Sequence, residues 1–132
     1  MVKDLLKIAQ LQLVFKLHPE IKLVYLFGSR AEGKIGPLSD YDFGVYIDER
    51  DERKRFDIRL QLMDELSRAV KTEKIDVCIL NDIQSPELKY NIIKDGRLIF
   101  EQEPFKLLVE PRILNEYFDF HRLLLKYELT RI

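Results

Sequence analysis

The sequence predicts a mixed α/β or α+β domain: a small mixed sheet of about four strands flanked by helices, with a helical C-terminus. Three observations lead there. The 132 residues are the length of one ordinary domain and leave no room for a second. Short β-rich apolar runs alternate with segments whose apolar residues recur every three or four positions. Glycine, proline and capping residues fall between those runs, where turns are needed.

In chain order, Leu5, Ile8, Ala9, Gln12 and Phe15 follow helical spacing, and Pro19 ends that helix. Lys22 to Phe27 is apolar and β-rich, and Gly28-Ser29 closes it as a strand. Ala31 to Ser39 contains Gly33, Gly36 and Pro37 and reads as a loop. Tyr41 to Ile47 is a second strand, with Phe43, Val45 and Ile47 alternating with Asp42, Gly44 and Tyr46.

Phe56, Leu60, Met63, Leu66 and Val70 mark the expected inward face of the next helix. The acids and bases from Asp48 to Arg55 form its solvated entry, with the acids first, as the helix dipole favours. Lys74 to Leu80 is a third strand. Ser85 is placed to cap a short helix, with Pro86 at its first position and Gly96 just past its end. Arg97 to Phe100 is a fourth strand. From Pro104 the chain is helical, and Pro111 either opens a new helix or bends this one. The expected layout is one domain over 1–132, with a catalytic core of about 22–100 and a helical segment of about 104–131.

Composition narrows the function. Hydrophobic residues make up 46% and charged residues 34%, which excludes a disordered chain. A formal net charge of -1 disfavours stable duplex nucleic-acid binding, which draws on many cations. The single cysteine, Cys78, cannot form an internal disulfide and reads as a small buried hydrophobe. No apolar stretch approaches the ~20 residues that span a bilayer, and the first ten residues lack a signal-peptide pattern. A cytoplasmic protein without membrane association is expected. His18 and His121 are too isolated for a zinc site and are expected at the surface or at helix caps. The aromatic stripe Tyr117, Phe118, Phe120 and Tyr127 is expected to serve the core and is the best candidate for a partner surface.

The informative segment is FGSRAEGKIGPLSDYDFGVYI, residues 27–47. Residues two apart in a strand share a face and lie roughly 6.6 Å apart along the chain. Asp40 and Asp42 therefore face one way and Tyr41 the other. Two neighbouring carboxylates repel, and a divalent cation removes that cost. Magnesium takes hard oxygen ligands, commonly one or two carboxylates plus substrate phosphates. Gly28 lets a phosphate approach the backbone, Ser29 adds a hydroxyl donor, and Arg30 can add a charge-assisted contact. Asp76, in the otherwise apolar run Ile75 to Ile79, supplies a third acid if its strand lies beside that of Asp42. Together these residues equip the chain to bind a nucleoside triphosphate with magnesium.

Gly28-Ser29, ten intervening residues, Asp40-Tyr41-Asp42 and the later Asp76 resemble the signature of the DNA polymerase β-type nucleotidyltransferase superfamily, most closely its minimal nucleotidyltransferase (MNT) family. The resemblance covers about residues 23–80, and departs where Glu32 stands in place of the basic residue of many relatives. It implies a nucleotidyltransferase fold and transfer of AMP from ATP to a hydroxyl. Asp40 and Asp42 would hold two magnesium ions, Asp76 would share one and activate the acceptor, and Gly28, Ser29 and Arg30 would grip the triphosphate. It also implies an antitoxin that modifies a tyrosine of a HEPN ribonuclease toxin as partner. Two other readings are a non-catalytic antitoxin that masks its partner, and a transferase acting on a small molecule such as an antibiotic.

Overall fold

The computed structural model describes residues 2–28 and 41–127. Ser29, Arg30, the loop at 31–39, Asp40 and the last residues of the expected C-terminal helix lie outside that description. The described elements run α1 (Val2–Lys16), β1 (Ile21–Phe27), β2 (Tyr41–Ile47), α2 (Glu52–Val70), β3 (Ile75–Ile79), α3 (Pro86–Asp95), β4 (Arg97–Glu101) and α4 (Phe105–Lys126), with one 3-10 turn at Leu80–Asp82. The expected mixed sheet with flanking helices is present.

The four strands form one sheet in the order β3-β2-β1-β4. β1 pairs antiparallel with both β2 and β4, whereas β2 and β3 are parallel. A parallel pair needs a long crossover, and α2 supplies it. Both sheet faces are covered, which is why β1 reads as a continuous apolar run rather than an alternating one. Leu11 and Phe15 of α1 and Leu62 and Leu66 of α2 pack with Tyr41, Phe43, Val45, Ile75, Val77 and Ile79 on one face. On the other, Ile92 of α3 and Val109 and Ile113 of α4 pack with Leu23, Tyr25 and Leu80.

Local signals explain the helix ends. Asp51 caps α2, its side chain accepting from the Arg53 N–H at 3.0 Å. Ser85 caps α3 by accepting from the Leu88 N–H at 3.2 Å, Pro86 opens it and Gly96 follows its end, as expected. α3 presses closely on the sheet because Gly44 has no side chain: a Cβ there would lie 2.9 Å from Ile92 Cγ2. Pro111 lies inside one continuous helix rather than opening a second.

Three expectations are corrected. His18 takes the helix-end position, just past α1 with its N–H donating to the Phe15 carbonyl at 3.1 Å, but it is buried rather than at the surface, and its Nε2 lies 2.5 Å from Glu65 Oε1 on α2. The inward face of α2 is also rotated from the expected one. Leu62 and Leu66 are fully buried, with Ile58, Met63 and Val70 partly so, while Phe56 and Leu60 are about half exposed at 49% and 48%. Both stripes fit a 3.6-residue period, and the positions of the neighbouring elements decide between them. Finally, the aromatic stripe of α4 is not core. Phe118 and Tyr127 are exposed, with Leu123 and Leu125 beside them, and Tyr117 and Phe120 are only partly buried; the buried residues of α4, Val109 and Ile113, lie in its first half. Tyr90 of α3 stacks on Tyr117 at a ring separation of 3.8 Å.

No helix among the described residues is long and apolar enough to cross a membrane. The rotation of α2 has a direct test. Leu62→Ala should lower unfolding free energy by about 2–5 kcal/mol, and Leu60→Ala by no more than about 0.5 kcal/mol, both measured by urea titration.

Candidate active site

The end of β1 and the beginnings of β2, β3 and β4 lie at the same end of the sheet. Three of the predicted site residues meet there. Asp42 is the register partner of Phe27 on one side and of Asp76 on the other. The Tyr41 N–H donates to the Lys74 carbonyl at 2.8 Å and closes the start of the parallel ladder. Side chains alternate along a strand, so Asp42 and Asp76 share the face opposite the one buried by Phe43 and Val77. The adjacency of these two strands is the condition on which a role for Asp76 depends, and it is met.

Gly28 completes this arrangement from the end of β1. Its φ of +76° lies in the left-handed region, and a Cβ there would stand 2.6 Å from Asp42 Oδ2. Glycine thus serves two purposes: it turns the chain, and it leaves room for the Asp42 carboxylate against the backbone. Ser29, Arg30 and Asp40 lie outside the described residues, so Gly28, Asp42 and Asp76 are the predicted site residues placed here.

The surroundings of Asp76 include two residues that the sequence reading did not assign to the site. Arg59, on α2, donates from Nε to the Val77 carbonyl at 2.6 Å, and its Nη2 lies 3.8 Å from Asp76 Oδ1. The Asp76 side chain is 63% exposed, so this contact orients more than it stabilises. The available signal was an arginine one turn before Leu62 and two before Leu66, near the row of α2 that meets the sheet. Cys78 follows Asp76 on the same face, partly buried, and its thiol donates to the Phe43 carbonyl at 3.5 Å. Burial, followed by the charges of Asp76 and Asp42, pushes that thiol up to about 11. The cysteine is therefore held as a neutral filler, and both carboxylates act on it.

Two carboxylates in register, one against a glycine turn, offer hard oxygen donors suited to magnesium with phosphate as a further ligand. Among the described residues, no group of three or more His, Cys, Asp and Glu is gathered closely enough to hold an ion. Asp42 and Asp76 are the two expected metal-binding acids that the described residues bring together.

Two outcomes test this geometry. Gly28→Ala should weaken binding of ATP with magnesium at least tenfold by displacing the Asp42 carboxylate, as read by titration calorimetry. The raised Cys78 value has a defined sign. The unfolded chain releases this proton near pH 9 while the native chain holds it to about 11, so this residue's contribution to stability is full below pH 9 and falls as pH rises between the two. Cys78→Ala should flatten that alkaline decline in thermal-melt series.

Comparison with known proteins agrees with this layout. Residues 9–105 match the family model described as Polymerase beta, Nucleotidyltransferase. The chain is 30% identical over 103 residues to the protein adenylyltransferase MntA of Aphanizomenon flos-aquae; the match covers 70% of this chain and 64% of that relative. Among solved structures, a toxin-antitoxin with AMP-PNP superposes with a TM-score of 0.74 at 20% identity, over 91% of this chain and 94% of the other. An MNT antitoxin in complex with the tri-AMPylated HEPN toxin of Shewanella oneidensis gives 0.69 at 18% identity, over 92% of each chain. At those identities the likeness is one of fold. With the family model spanning most of the chain and the carboxylate pair in place, this protein belongs to the polymerase β-type nucleotidyltransferase family.

Proposed function

We propose that the protein is a magnesium-dependent adenylyltransferase that moves AMP from ATP onto a tyrosine hydroxyl of a HEPN-type toxin and so acts as its antitoxin. The observation that carries this reading is the in-register pairing of Asp42 with Asp76 beside the Gly28 turn. The similarity to a protein adenylyltransferase, and the shared fold with an MNT antitoxin found with an AMPylated HEPN toxin, support a HEPN-type toxin as the partner that receives AMP. This activity needs ATP, and we place the protein in the cytoplasm, where ATP is plentiful.

Asp40 and Asp42 would hold two magnesium ions and Asp76 would share one of them. Ions held by these carboxylates would supply neutralisation of phosphate charge. The backbone at Gly28, with Ser29 and Arg30, would receive the triphosphate. The tyrosine oxygen forms a bond to the α-phosphorus, the bond to the β-phosphate's bridging oxygen breaks, and pyrophosphate leaves. Asp76 takes the phenolic proton, a necessary step because an unperturbed phenol ionises near ~10.

One observation favours a second contribution to neutralisation. Phe118, Leu123, Leu125 and Tyr127 are exposed on α4, an apolar surface that a partner could cover. A protein acting only by masking would need that surface and not the acids.

A single experiment separates the readings. Labelled ATP, magnesium, the protein and its HEPN partner should yield a labelled tyrosine in the partner. Asp42→Asn should lower that transfer at least a hundredfold while leaving partner binding intact in size-exclusion chromatography. Full neutralisation of the toxin by Asp42→Asn without labelling would replace the enzymatic reading with masking.

A further inference from the structure

A concavity meets Asp76 from the outer edge of the sheet. It is a groove of about 460 Å³ between β3, the first half of α2 and the chain just beyond the 3-10 turn, lined among others by Glu52, Phe56, Arg59, Asp76, Cys78 and Ile83. Such a volume accommodates an organic group the size of a side chain and its neighbours. Phe56 is 49% exposed, on the face of α2 turned from the core. An aromatic ring left half in water beside a reactive carboxylate is more informative than a scattered surface leucine.

We propose that this groove seats the ring of the acceptor tyrosine, presented by a partner segment that carries basic residues beside it. The proposal rests on the adenylyltransferase reading above and adds the location and chemistry of the acceptor. A triphosphate is a poor occupant: Asp82 is already paired with Arg55, and the remaining lining charges, Glu52 and Asp76 against Arg59, leave the groove net negative. An uncharged phenol avoids that repulsion. Its ring packs on Phe56, with Cys78 and Ile83 as further walls, and aromatic pairs of this kind gain more than area burial alone. Its hydroxyl then meets Asp76, the group that takes its proton. Arg59, anchored by its Nε on the Val77 carbonyl, holds a positive charge near the oxygen that becomes anionic. Glu52 acts on Arg55, whose guanidinium is already paired with Asp82, so the exposed Glu52 charge at the start of α2 remains able to favour a cationic neighbour on the incoming segment.

The test uses the full chain, its HEPN partner as acceptor and labelled ATP with magnesium. Phe56→Ala should lower kcat/KM for the partner at least tenfold, with affinity for ATP and magnesium within twofold of the unmodified protein, and Phe56→Tyr should restore it. Glu52→Lys should raise KM for the partner about fivefold with the same unchanged ATP affinity. Thermal melts of the variants, substituted at exposed positions, should match the unmodified protein. If the unmodified protein labels its partner and Phe56→Ala does so equally well, the ring seat is wrong although the transferase reading stands. Unchanged kinetics in Glu52→Lys alone overturns the basic flank. Failure of the unmodified protein to label any acceptor removes the transferase reading and this proposal with it.

Discussion

The parallel ladder between β2 and β3 is the constraint on which the site depends. It pairs Tyr41 with Ile75, Asp42 with Asp76 and Phe43 with Val77. Strand side chains alternate, so a slip of one residue would send one acid to the opposite face. The acids are polar and do little to prevent such a slip. The other face does: Tyr41, Phe43, Val45, Ile75, Val77 and Ile79 are buried beneath α1 and α2. Hydrophobic packing on one side of the sheet thus holds two carboxylates in line on the other. α2 takes part in both roles, since it is the crossover that makes the pair parallel and its Leu62 and Leu66 close the core over it.

Holding like charges side by side is unfavourable, and the surroundings keep that cost small. The Asp76 side chain is largely open to water and has Arg59 nearby. The Asp42 carboxylate occupies the room that the missing side chain of Gly28 provides. Farther along the same face polarity falls away: Cys78 stays neutral, and Gly44 admits Ile92 directly onto the sheet. The polar end and the dry middle of one face are therefore separated by only two residues along each strand. Deeper in that apolar layer a different solution appears, where the buried Tyr25 hydroxyl bonds to Glu110 of α4. Burial and that carboxylate raise the ionisation of the phenol, so Tyr25 remains a neutral donor tying α4 to β1.

The parts of this design that were legible in the sequence are those written in short, local patterns. Gly28 just past a strand end, Asp42 two residues after Asp40, and Ser85-Pro86 with Gly96 all follow from backbone geometry that a few residues dictate. What remained hidden depends on neighbours distant in sequence. The periodicity of α2 admitted Phe56 and Leu60 as core as readily as Leu62, and only the docking of α1 and β3 selects the actual face. His18 gave no sign of Glu65, which lies forty-seven residues later and on another helix. Phe118 and Tyr127 belong to an apolar helical stripe like any core stripe, but the buried part of α4 is confined to its first half, at Val109 and Ile113. Arg59 had no meaning until β3 was known to be an edge strand.

That last contact has a consequence for assembly. β3 ends the sheet, and an outermost strand ordinarily offers its free backbone groups to any chain able to lie alongside. Here the Val77 carbonyl is already engaged by the Arg59 guanidinium at the middle of a five-residue strand. An approaching strand would have to break a charge-assisted bond before forming its first link, so lengthening the sheet on this flank is disfavoured. Molecules arriving here are thus directed towards side-chain recognition, which keeps the flank next to the carboxylates open instead of zipped into a larger aggregate.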